Sequence, residues 1–527
     1  MAHVPQGDVK LKAHWRALAA ATLVSLSSFQ YGIDFGIISG LQAMDPFLEV
    51  FGELGPDGKW NISPERQQLI SSLMILGAFI ASFSAGFTSE YFGRKMSLWI
   101  ACLGVVIATV MMQVTTSIGV LYAGRLIIGL ANGLLMTHCQ LYIQETLPAK
   151  YRGMGIAMFS YWISLGSLIG TIIDYPASKD PTRNAYIVPL GIVYVVPGVI
   201  SLGLFFIPES PRWLAGKGQI SKAEKSLKWL RPNTWAVAEE LQEMEVALAA
   251  EAQLHSKTNF ISCFNDPVDR RRTLLAVLGL TTQAGSGSMF VISYGTYFFK
   301  MANVGDAFQN SCILTGVGVF AMLLNTFLVT RIGYRRVMMM TGFALCGIAM
   351  LAIAAVYTVE PGTQKTGKAI VGLSIIYIVG YNWMIAPYAW LCGGELPSQR
   401  LRSYTFGLAT AIGFLFAWLT TFTAPYFINP LALNWGPKYG YIWAPSCVIC
   451  MTWIFFFLPE VKDRTLEEID EMFEARLPAR KFRGYKCTGM HAVLEEKTHD
   501  IKPQTSHEEG HVSTPTSNEN GVTESRV

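Results

Sequence analysis

The chain has 527 residues, 51% of them hydrophobic and 15% charged, with a formal net charge of +4. Soluble globular chains carry about a quarter charged residues, so this composition excludes an ordinary soluble domain. The basic residues gather by loop, which leaves no broad basic face for nucleic acid, and no nucleotide loop, metal cluster or nucleophile constellation marks an enzyme.

In chain order, a polar N-terminus (1–16) precedes a run of apolar stretches near 20 residues, each long enough to cross about 30 Å of hydrocarbon. No cleavable signal is evident, because no small-residue cleavage site follows a short apolar core. The pattern predicts an all-α membrane protein of twelve transmembrane helices. Six spans fall in 17–207, at about 17–40, 68–88, 97–116, 119–143, 154–173 and 186–207. Six more fall in 273–458, at about 273–299, 309–329, 337–357, 369–392, 403–427 and 439–458. Between them, 208–272 reads as a helical connector. It contains a capping-box pattern, Ser221-Lys222-Ala223-Glu224, and a surface helix from Trp235 to His255. The tail, 459–527, turns polar and is expected to be disordered after about 477. Lys and Arg collect in one set of loops (Arg16, Arg94, Lys95, Lys150, Arg152, Arg335, Arg336, Arg400, Arg402), which places both termini in the cytoplasm. Asn61-Ile62-Ser63 is then a glycosylation sequon on the outer side. Most of the nine cysteines lie within apolar runs without CxxC or metal spacing, as suits reduced packing thiols.

One charged pattern occurs twice. Glu145 is followed seven residues later by Arg152, and Glu395 seven later by Arg402. A basic turn with glycine precedes each, with Arg94 in FGRK and Arg335 in IGYRR, and a Pro-Glu pair follows each, at Pro208-Glu209 and Pro459-Glu460. Charges at membrane borders are costly, so a reused set points to two matched halves that move against each other. Within the first half, Asp34 stands mid-span between Gly32 and Gly36, where an unpaired carboxylate costs several kcal/mol. Arg125, near the start of the fourth span, is its natural partner if the first and fourth helices pack. A carboxyl alternately paired and exposed can bind and release a proton; a static pair that only joins two helices is the plainer alternative.

These residues resemble the sugar porter family of the major facilitator superfamily, particularly its fungal members, over about residues 15–475. The resemblance rests on PESPRWL (Pro208 to Leu214), Gly124-Arg125, Tyr142 and Glu145 running to Arg152-Gly153, Pro387 and Trp390 with Glu395 and Arg402, and PEVKDRTLEE (Pro459 to Glu468). It implies two pseudo-symmetric six-helix bundles that rock around a central site, joined by cytoplasmic helices. It also implies an inner gate of Arg94, Glu145 and Arg152 in the first half and Arg335, Glu395 and Arg402 in the second. Asp34 occupies the position at which proton-coupled members carry aspartate.

The chain departs from the family where the family's sugar-binding amides lie. Gln283 is kept, but Ala284 and Met289 replace a second glutamine and an asparagine, and Ser160 replaces a glutamine in the fifth span. Trp390 is retained, and Tyr294 and Asn382 are further cavity candidates. The thinned amide set relaxes or redirects selectivity.

The expected function is therefore secondary active import of a sugar or related polyhydroxylated solute with a proton, at the plasma membrane, by a monomer in the lipid bilayer that needs no cofactor or metal. A sugar uniporter, a transporter-like nutrient receptor and an exporter of a secondary metabolite are the alternatives. A tail of about 50 residues is short for the receptor.

Overall fold

The computed structural model describes residues 11–485 and 487, apart from 55–57, 59, 234, 256–259, 303–304, 399–400, 463 and 465. Contacts group the chain into one compact unit from Met1 to Arg483 and a short segment from Gly484. Only Gly484, Tyr485 and Cys487 of that segment are described.

The first half is built from α1 (Trp15–Leu41), α3 (Pro64–Val114), α4 (Ile118–Thr146), α5 (Ala149–Ala177), α6 (Asn184–Ile192) and α7 (Val195–Leu204), with a short α2 (Asp45–Phe51) after α1. A two-residue antiparallel ladder, Glu53–Leu54 against Trp60–Asn61, closes the loop before α3. The second half comprises α12 (Pro267–Gly285), α13 (Ser288–Met301), α14 (Ala307–Ile332), α15 (Arg335–Val359), α16 (Gln364–Val379), α17 (Ala386–Glu395), α18 (Arg402–Ile428) and α19 (Gly440–Phe457). Between the halves run α8 (Pro211–Gly216), α9 (Ile220–Leu230), α10 (Val237–His255) and α11 (Ser262–Asn265), and α20 (Leu466–Glu474) follows the last span. Among the described residues, ten helical segments are long and apolar enough to cross a membrane. With α1 and α5, of 27 and 29 residues, the long helices match the twelve spans expected from the sequence.

Backbone chemistry explains the departures from straight helices. At Gly93 the helical path of α3 breaks with φ of 80°, so that two predicted spans meet in one sharp corner. A Cβ there would lie 2.9 Å from the Glu209 carboxylate, so glycine suits this turn on both counts. The seventh span is likewise cut at Gly287, with φ of 83°, into α12 and α13. Carbonyls released by that break are recovered by side chains: Ser446 Oγ donates to Gly285 O at 2.6 Å and Tyr377 OH to Ser286 O at 3.0 Å. Between α16 and α17 the helix widens into a π turn, Gly380–Ile385, immediately before Pro387, whose nitrogen cannot donate to the preceding turn.

Packing repeats between the halves. Inside them, α1 lies along α5 as α12 lies along α18, and α3 and α7 pack as α15 and α19 do. Across them, α3 meets α18 and α5 meets α14, again as symmetric mates. The α1–α5 contact is close: Gly36 and Gly170 face each other, and a Cβ on Gly36 would sit 2.5 Å from Ser167 O.

Two details correct the sequence reading. The capping box at Ser221 is not formed, since Gln219 caps α9 and Glu224 instead pairs with Lys228 at 2.6 Å. Order also extends beyond Leu477, because Ala479–Gly484 makes a 3-10 turn that buries Phe482 against Phe473. The cysteines are free, most of them buried, as their apolar neighbourhoods suggest.

Candidate functional site

A cavity opens between the two halves and holds about 210 Å³. From α5 a stripe of hydroxyls enters it, Ser160, Ser164, Ser167 and Thr171, spaced so that one helical face presents all four. The opposite wall is supplied where the second-half helices are irregular. Gln283 lies beside the α12–α13 break, its carbonyl accepting from Ser286 Oγ at 2.6 Å and Ser288 Oγ at 3.0 Å. Asn382 and Tyr381 sit in the π turn, and Trp390 follows on α17. Phe35, Met289, Leu314, Met322 and Phe414 give the remaining wall an apolar character. Among the described residues the lining contains no Asp, Glu, Lys, Arg or His.

Four of the five predicted contact residues, Ser160, Gln283, Asn382 and Trp390, therefore line one cavity. Tyr294 does not. Its ring is wholly buried in α13, and its hydroxyl donates to Thr421 O at 2.8 Å, joining α13 to α18. Its apolar neighbours in sequence give no sign of which way that face of the helix turns. Tyr31 of α1 lines the cavity and was not singled out from the sequence.

Asp34 lies on α1 one residue from the cavity-lining Phe35. As expected, it meets Arg125 of α4, whose Nη1 donates to both carboxylate oxygens at 3.0 and 3.2 Å. Both side chains are almost fully buried. Arg125 also donates from Nε to Ile70 O at 2.9 Å, so α1, α3 and α4 converge on one guanidinium. A buried charge needs this degree of satisfaction to be tolerated.

At the end of the bundle that carries the start of α1 and the connector helices, the doubled charge pattern becomes doubled geometry. Arg94 grips Glu145 through Nε at 2.8 Å and Nη2 at 2.5 Å, and Arg335 grips Glu395 through Nε at 3.1 Å and Nη2 at 2.7 Å. These forked pairs join elements of the same half. The Pro-Glu acids complete each copy. Glu209 accepts from the backbone N–H of Arg94 and Lys95, and Glu460 from those of Arg335 and Arg336. Burial pushes the Glu209 carboxyl up, while the N–H groups of Ser210, Lys95 and Arg94 draw it back. The reading of paired gate charges missed this anchoring, although the repeated Pro-Glu was its signal. Arg152 belongs to α5, but its side chain lies outside the described residues; Arg402 is the first residue of α18.

At the opposite end, hydrogen bonds cross between the halves. Asn429 donates to Ile62 O at 2.8 Å and Gln67 Oε1 at 2.9 Å, Lys300 Nζ to Ala43 O and Asp45 Oδ1 at 2.7 Å each, and Tyr297 to Asn61 Oδ1 at 3.2 Å. Sequon residue Asn61 is thus part of this closure. That end is shut.

Comparison with known proteins identifies the architecture. The family model described as Sugar (and other) transporter matches residues 20–473. The chain belongs to that family. It is a multi-pass membrane transporter of the major facilitator superfamily and not an enzyme. It is 28% identical over 477 residues to the major facilitator-type transporter ecdD of Aspergillus rugulosus, covering 87% of each chain. It is also 27% identical to the high glucose sensor RGT2 of Saccharomyces cerevisiae, with 88% of this chain and 61% of the sensor covered. Among solved structures, the inward open form of the xylose transporter XylE from E. coli superposes with a TM-score of 0.71 at 20% identity, covering 86% of this chain and 99% of that one. At that identity the likeness concerns the fold.

Proposed function

We propose that this sugar-family transporter imports a small, uncharged, polyhydroxylated solute together with a proton, by alternating access at the plasma membrane. The carrying observation is the cavity. It lies between two repeated halves, is lined by hydroxyls, two amides and an indole, and contains no charged group among the described residues. Hydroxyls and amides match sugar hydroxyls, and Trp390 offers a flat face to the apolar side of a ring. A sugar acid would be buried there without a counter-charge, which disfavours that class. Asp34, paired with Arg125 beside the cavity wall, is the coupling group. The termini and the forked pairs of Arg94 and Arg335 face the cytoplasm, where the pairs shape the inner gate together with Arg152 and Arg402. The bonded end that includes Asn61 and Asn429 faces outward. One chain suffices, because both walls of the cavity come from it.

The test is uptake by yeast lacking its own hexose transporters, assayed with labelled hexoses, polyols and uronic acids, with and without a protonophore. Neutral solutes should accumulate and be lost with the gradient, and Trp390→Ala and Gln283→Ala should each raise the apparent KM. Uptake confined to uronic acids, or indifferent to the protonophore, contradicts the reading.

A further inference from the structure

A second acid lies buried within the first half. Asp174 is in the last turn of α5, at 1% exposure, four residues beyond Gly170 on the face that packs against α1. Glycines 32, 36 and 40 of α1 oppose Ile163, Gly170 and Asp174 in turn, so the carboxyl takes the next place in this close helix contact. A Cβ on Gly40 would sit 2.0 Å from Asp174 Oδ2. Neither carboxylate oxygen has a hydrogen-bond partner among the described residues. An ionised carboxylate in such a place is uncompensated, whereas a protonated one is a small neutral group.

Among the described residues the surroundings supply no counter-charge. From α1, Asp174 meets glycine; Asp34 is six residues away along that helix and is held by Arg125. From α14 the facing titratable group is Cys312, with Asp306 just before the start of that helix. Tyr186 of α6 is turned toward Phe47 and Phe51, and Lys179 lies over the ring of Tyr175. One turn below Asp174 lies the junction between the halves: Thr171 Oγ1 meets Thr315 Oγ1 at 2.9 Å, and Cys312 Sγ donates to Thr171 O at 3.2 Å. Parting of α5 from α14 would admit water beside the carboxyl.

We propose that Asp174 is a second proton-binding site, protonated while this end of the two halves is closed and ionised when it opens. The step is a simple dissociation. The carboxyl O–H breaks, its proton passes to entering water, and the charge remains on the hydrated carboxylate. Because the closed form binds this proton more tightly, low pH favours closure and rising pH favours opening, by up to about tenfold per pH unit for one proton. The inference stands apart from coupling through Asp34 and survives if solute transport proves to be uniport.

Two measurements on the purified full-length protein in lipid nanodiscs test it. Infrared difference spectra at neutral pH should contain a protonated-carboxyl stretch in the wild type that Asp174→Asn abolishes. Spin labels on unnatural residues at Lys179 and Ala432, one in each half at this end, should report a longer distance gaining population as pH rises. Asp174→Asn, which mimics the neutral acid, should hold the short distance at every pH, while Asp34→Asn retains the shift. Should Asp174→Asn fail to fold, Asp174→Glu keeps a titratable proton and should keep the shift with a displaced midpoint. An unchanged carboxyl band in Asp174→Asn, or a pH response equal to that of the wild type in Asp174→Asn or Asp174→Glu, overturns the proposal.

Discussion

Among single residues, Asp34 and Arg125 hold the largest electrostatic commitment in the membrane. Arg125 Nη1 donates to both Asp34 oxygens, and Arg125 is further tied to Ile70 O. Removing one partner of a buried pair leaves an uncompensated charge and costs about 3–5 kcal/mol, whereas replacing both with apolar groups is often near neutral. Arg125→Met should therefore lower thermal stability sharply, and Asp34→Leu added to it should restore most of the loss. If the double variant melts no higher than the single one, the pair is not the buried, mutually neutralising unit described here. This contact was legible in sequence because an acid mid-span demands a cation, and Arg125 near the start of the fourth span was its natural partner if the first and fourth helices pack. Asp174 was not legible: the fifth span was expected to end at 173, which put the residue in a loop. The helix instead runs to Ala177 and buries it. Tyr294 failed for another reason, since hydropathy carries no information on which face of a uniformly apolar helix meets a cavity.

At the level of elements, glycines let α1 and α5 approach until backbone meets backbone, which aligns the hydroxyl stripe of α5 with the cavity. A methyl group at Gly36 would meet Ser167 O at 2.5 Å, and neither helix can yield without disturbing that stripe. Gly36→Ala should destabilise by about 1–3 kcal/mol, as overpacking does. Gly198→Ala in α7, where an added Cβ meets nothing within 4 Å, should be neutral or slightly stabilising through helix propensity. Thermal unfolding in one detergent separates the two, and equal losses would mean that the crossing is not a close contact. Span count and the placement of the connector helices followed directly from apolar length and polar breaks. The interruptions at Gly287 and at the π turn did not. They depend on whether neighbours such as Tyr377 and Ser446 can satisfy the released carbonyls, a tertiary property absent from a local pattern.

For the whole molecule, pseudo-symmetry organises both motion and site. Matched Arg–Glu forks at one end stabilise each half as a body, and the hydrogen bonds at the other end hold the halves together. Modest contacts of this kind can bias a two-state equilibrium without locking it. The cavity sits between them, and Asp34, one residue from the lining Phe35, is the group proposed to link proton and solute. Reconstitution in liposomes with an imposed pH gradient tests that link most directly. Wild-type protein should concentrate its neutral solute against a gradient when the outside is acidic. Asp34→Asn should still equilibrate the solute, for example in counterflow, but should not concentrate it. Accumulation by Asp34→Asn equal to the wild type, or no accumulation by the wild type, would contradict proton coupling through this pair.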